Sequence, residues 1–185
     1  MSSYSRNSRK ATQALQLAFA ATLLAGSAAY AADEPRTFEL TAFSNGTAGE
    51  LLVSGDYNTA VSKLSSHAQS LDGESVNTNR CVAFTVTRHL DAAREACNAA
   101  VRDAQQTIIS LPVSMAWARS EYRDYLALAY SNRAVLNWMV NDTSAAQSDL
   151  KKAAAAAPKA AFVARNQTAL QSHSTVAQVT VTPKS

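Results

Sequence analysis

Small and apolar residues recur at Leu90, Ala93, Cys97, Ala100 and Val101, steps of three and four that line one face of a helix. A longer run from about Ser114, "SMAWARSEYRDYLALAYSNRAVLNWMV", contains neither Gly nor Pro and reads as one long helix. Pro112 breaks the helix before it, because the residue ahead of a proline avoids the helical region. Pro158 ends the run "DLKKAAAAA" in the same way. Beyond it, Phe162, Val163, Asn166 and Leu170 stand at helical intervals and read as a capping helix. With only five glycines in 185 residues, a sandwich of strands with many tight turns has little support. The expected class is all-α. Residues 32–43 read as an extended lead-in and 173–185 as a flexible tail, although Val179 and Val181 alternate as a docked strand would.

The helical pattern repeats. Ala60, Ala93 and Ala146 are each followed four residues later by Leu64, Cys97 and Leu150. Each is preceded by a turn: "SGDY", "RHLD" and "VNDT". Asn79-Arg80 and Asn132-Arg133 both begin 14 residues ahead of the matching alanine. The alanine spacings are 33 and 53 residues, the second being one unit of 34 plus an insertion of 19. The Asn-Arg pairs therefore occupy one position of a repeated helix-turn-helix.

This resembles the tetratricopeptide repeat, a 34-residue helical hairpin. In the last unit Tyr130 stands in the aromatic slot and Ala134 in the glycine slot. Ala146 and Leu150 form its second pair, and Pro158 is the terminal proline. The middle unit supplies Cys81, Phe84, Ala93 and Cys97. The first supplies Leu51, Gly55-Asp56-Tyr57, Ala60 and Leu64. Departures are Asn77 for the aromatic, Asn137 for the late tyrosine, and Arg80 and Arg133 where leucine is usual. The resemblance implies a solenoid of about three hairpins over residues 44–172.

It also implies that Cys81 and Cys97 face one another across a hairpin, which points to a disulfide; two buried thiols are the alternative. The inner face would comprise Val82, Thr85 and Val86 in the middle unit and Leu128, Val135, Trp138 and Met139 in the last. Such an apolar groove suits an amphipathic helix or an extended segment. It equally suits the lead-in, the tail or a second copy. Trp138 is either the groove's anchor or a residue packed under the tail or the insertion. Repeat domains of this family that clamp a peptide carboxylate pair asparagine with lysine and a second asparagine. Here Thr78, Val82, Ser131 and Val135 stand instead, so Asn79 and Asn132 are expected to hydrogen-bond between adjacent helices.

The N-terminus changes the electrostatics. Arg6, Arg9 and Lys10 precede an uncharged stretch from Ala11 to Ala32 that contains Ala29-Tyr30-Ala31, the layout of a cleaved secretory signal over residues 1–31. The chain holds 17 Lys+Arg and 14 Asp+Glu, and those three bases leave 14 against 14 after cleavage. No basic stripe remains for nucleic acid, and no stable membrane insertion is expected after cleavage. The short Ala-rich signal resembles those of Gram-negative bacteria, implying the periplasm, or else secretion.

His67, His89 and His173 lack metal-ligand spacing, and there is no phosphate loop or nucleophile elbow. Asp91 with Arg94, and Asp124 with Arg123, read as a solvated face. No enzyme activity, metal or cofactor is expected. The expected function is a cell-envelope scaffold that binds a protein or peptide partner in the groove, with homo-oligomers open. The alternative is a small-ligand or envelope-polymer binding protein using the same groove.

Overall fold

The computed structural model describes residues 37–66, 73–172 and 178–184. The expected signal segment, His67 and His173 lie outside the described residues. In order come β1 (Thr37–Phe43), α1 (Gly49–Ser54), α2 (Tyr57–Ser66), α3 (Gly73–Val86), α4 (Leu90–Ser110), α5 (Ala116–Met139), α6 (Thr143–Ala156), α7 (Ala161–Gln171) and β2 (Gln178–Lys184). The architecture is mostly helical, with one small sheet.

Three helix-turn-helix units repeat down to single hydrogen bonds. Gly55, Arg88 and Asn141 adopt positive φ of 85°, 60° and 63°. Their N–H groups donate to Leu52, Thr85 and Trp138, and the next residues donate to Leu51, Phe84 and Asn137. That is a Schellman ending, which satisfies the last carbonyls of a helix. It occurs at the same 33- and 53-residue spacings as the alanines. Ala60, Ala93 and Ala146 then sit 0% exposed, where the second helix of each unit crosses the first. A methyl group there lets two backbones approach; a larger side chain would hold them apart.

The 19-residue insertion does not form a loop. It lengthens α4 to 21 and α5 to 24 residues, against 14 each for α3 and α6. Because the turns at the other end are equivalent, the extra turns all project from the end that joins α4 to α5.

Two expectations are corrected. The tail is not flexible over residues 178–184. They form β2, which pairs in parallel with β1 from Thr37↔Gln178 to Phe43↔Lys184. The fold is therefore not purely α. The cause is the alternation in both segments. Phe38, Leu40 and Ala42 share one face of β1, and Val179 and Val181 continue it on β2. All five pack into a cluster with Leu52, Leu64, Val82 and Val135. The turn from β1 to α1 is equally fixed: a Cβ at Gly49 would stand 1.9 Å from the Phe43 carbonyl oxygen.

Cys81 of α3 and Cys97 of α4 are joined by a disulfide across the middle hairpin, Cα–Cα 4.6 Å. The bridge packs with Ala93, Ala96 and Leu136.

Candidate functional site

The face on which the groove was expected is occupied. β1 lies across α3, α5 and α7, and each of these helices presents one asparagine to it. A primary amide carries an acceptor and a donor side by side, the complement of one strand residue's C=O and N–H. Asn79 Oδ1 accepts the Phe43 N–H at 2.8 Å, and its Nδ2 donates to Phe43 O at 3.0 Å. Asn132 does the same with Thr41, at 2.9 and 2.8 Å. Asn166 does the same with Glu39, at 2.7 and 2.8 Å. The amide orientation is fixed chemically, since a backbone N–H can only donate.

The three asparagines are 0%, 1% and 0% exposed. Their contacts fall two residues apart along β1 because alternate backbone groups of a strand point to the same side. They fall 53 and 34 residues apart along the helices because the hairpins repeat. Two remaining amide protons are also used: Asn79 donates to Thr47 O and Asn166 to Ser131 Oγ. The expectation that Asn79 and Asn132 bridge adjacent helices is thereby corrected. The arginines beside them do tie helix to helix. Arg80 donates twice to Leu64 O. Arg133 grips Asp149 of α6 through two bonds of 2.8 Å and reaches Asn98 of α4 at 2.9 Å. That bond to Asp149 is the main reason the Arg133 guanidinium is held above its ordinary pKa, against the opposing effect of burial.

As the lining of an open groove, the candidate residues are corrected. Val82, Thr85, Leu128 and Val135 are each 0% exposed. Val82, Val86, Val135, Trp138 and Met139 belong to the cluster that holds Phe38 and Leu40. The Trp138 ring lies 4.4 Å from that of Phe38. Thr85 turns its hydroxyl to Cys81 O. Trp138 therefore packs under the lead-in strand, where the tail or the insertion had been the alternatives.

The other face of β1 is polar but closed. Glu39 accepts from Arg165 and from the Thr182 hydroxyl. Burial alone would raise its pKa; the Arg165 hydrogen bond, then Thr182, then the Arg165 charge and Thr41 outweigh it, and the net direction is down. Phe43 stacks edge-on with Tyr125 at 5.1 Å. Among the described residues no group of three or more His, Cys, Asp or Glu could hold a metal. His89 stands at the N-cap position of α4 but makes no side-chain cap bond; its Nδ1 lies 2.8 Å from the Thr87 hydroxyl. The Asp91–Arg94 contact is a long, exposed one of 3.9 Å.

Sequence reasoning missed the third rung. Asn166 stands 34 residues after Asn132, one repeat, and that spacing was the available signal.

The outer rim of the sheet follows from the same alternation. Residues 39, 41 and 43 face the asparagines, so 38, 40 and 42 face β2. In this register the β2 groups turned toward β1 belong to 178, 180, 182 and 184. Those of Val179, Val181 and Pro183 point away. Pro183 has no N–H to lose, as suits an outward position on an edge strand. No family model, curated protein or solved structure matches the chain.

Proposed function

We propose that the protein is an exported, tetratricopeptide-like interaction module of the cell envelope that keeps its own strand in the groove and receives an extended partner segment on the free edge of β2. The observation that carries this is the pairing state of the strands. β1 is satisfied on both edges, whereas the N–H and C=O groups of Val179 and Val181 have no partner among the described residues. A strand added there gains main-chain hydrogen bonds without breaking any bond among the described residues. Four of the groove candidates, Val82, Thr85, Leu128 and Val135, are fully buried, which favours the sheet edge over the groove.

Export is supported by the signal layout and by the disulfide, since such bonds persist in oxidising compartments. The repeated Schellman turns and buried alanines support the tetratricopeptide likeness. The protein or peptide partner is recognised by its backbone, and Pro183 limits the addition to a short stretch.

The test is a photoreactive side chain at the exposed Thr180 in cells, compared in native protein and in Val181→Pro. That substitution removes an outward N–H and leaves the groups turned toward β1 in place, and Val181→Ala, which loses the same core packing but keeps the N–H, is its control. Capture at residue 180 that is lost in Val181→Pro, with the melting transition retained, is the expected result. Capture unchanged by Val181→Pro contradicts strand addition.

A further inference from the structure

The insertion builds an apex that the groove and sheet do not use. We propose that the junction of α4 and α5 seats in the interfacial layer of a lipid bilayer. Ile109 is 82% exposed, Val113 86%, Trp117 72% and Met115 42%. They share one end of the molecule because α5 begins 16 residues before Asn132, whereas α3 begins six before the equivalent Asn79. The overhang of about ten residues is roughly 15 Å at 1.5 Å per residue.

The apex is ordered by its own bonds. Leu111 N–H donates to Thr107 O, Met115 N–H to Pro112 O and Arg119 N–H to Met115 O. Arg119 Nη2 donates to Leu111 O at 2.7 Å, tying the turn to the helix that follows it. The apolar side chains are therefore held outward by a fixed turn.

Two further observations select lipid over protein. First, the apex carries no charge from Ala104 to Ala118. Charges return at Arg102 and Asp103 on one helix and at Glu121 on the other, about 7–12 Å behind the tip by helical rise, while the Arg119 guanidinium reaches forward and spends its charge on the Leu111 carbonyl. An interfacial segment sinks about 5–10 Å into the headgroup and acyl boundary. The flanking charges balance, so neutral lipid suffices. Second, the apolar side chains stand on a protruding turn, where a protein partner would need a pocket shaped to receive them. A bilayer needs no matching cavity. Trp suits the boundary through its apolar ring and polar N–H. The uncharged cap is shorter than the roughly 20 residues needed to span a bilayer, and no helix among the described residues is long and apolar enough to cross a membrane.

The test uses the full chain with vesicles of phosphatidylcholine, some carrying bromine on the acyl chains. Expected results are a blue shift of tryptophan emission, quenching by brominated lipid, and loss of both in Trp117→Phe. The double variant Ile109→Asp, Val113→Asp should bind at least tenfold more weakly with an unchanged melting temperature. Both positions are exposed, so folding is not at stake, and a readout local to Trp117 is blind to adsorption by other segments. The proposal is overturned if Trp117 is not quenched, or if the double variant binds equally. It is also overturned if native protein self-associates without lipid and the double variant does not, because the occupant is then a second copy.

Discussion

The face under β1 and the α4–α5 apex are both uncommonly apolar, yet they treat their polar groups in opposite ways. There the strand runs through a buried interior, and three asparagines take up the backbone N–H and C=O of Glu39, Thr41 and Phe43. At the apex Ile109, Val113 and Trp117 face outward and the backbone is closed by local turns. The same helical repeat supports both. One end has evolved no freedom to change a side chain without orphaning a partner; the other has side chains on which nothing in the described chain depends. Stability should therefore concentrate at one end and adhesion at the other.

The sharpest way to break this contrast is Asn132→Ala. It strands the Thr41 N–H and C=O in the core at about 1–3 kcal/mol each. The expected loss is about 4 kcal/mol, roughly 10 °C in Tm for a domain of this size, read by thermal and urea unfolding. A loss below 1 kcal/mol would mean water reaches the strand. Next is the pair Cys81→Ala, Cys97→Ala. The bridge closes a loop of sequence separation 16, worth about 3 kcal/mol in the chain-entropy model. Reductant should lower the urea midpoint of the native protein equally and leave the variant unchanged.

Smaller still is Glu39→Gln. The Glu39 pKa is lowered in the folded state, so its contribution is present above the ordinary glutamate pKa and is lost as pH falls through the folded value. Arg165 is 57% exposed, which holds the contribution to about 1 kcal/mol or less. Native protein should lose this increment below about pH 4.3, and Glu39→Gln should show a flatter acid limb. Smallest is Val113→Asp, which should change stability by less than about 0.5 kcal/mol. A larger loss would place the apex in the core and erase the contrast.

Much of the helical frame was legible. The alanine spacings located all three turns, and the Asn-Arg echo located equivalent helices. Those signals are local, because a crossing point needs a small residue wherever two backbones meet. The identity of what fills the groove was not legible. Thr41 is 91 residues from Asn132 and Glu39 is 127 from Asn166. An asparagine advertises a donor and an acceptor but not their distant partner. Val82 and Val135 read as a groove lining and are buried core, because an apolar lining and an apolar core have one composition. The alternation of Val179 and Val181 permits a strand without fixing one, because a seven-residue strand has no order of its own until β1 supplies the other half of its ladder.

β1 is gripped on its asparagine edge, the outward groups of β2 have no partner among the described residues, and amide hydrogen exchange reads both at once. The N–H groups of Glu39, Thr41 and Phe43 should exchange as slowly as the cores of α3 and α5, opening only with global unfolding. Those of Val179 and Val181, in the same sheet, should exchange many-fold faster. Fast exchange at Glu39, Thr41 and Phe43, or equal protection across the two strands, would contradict the asparagine ladder as the structure's organising contact.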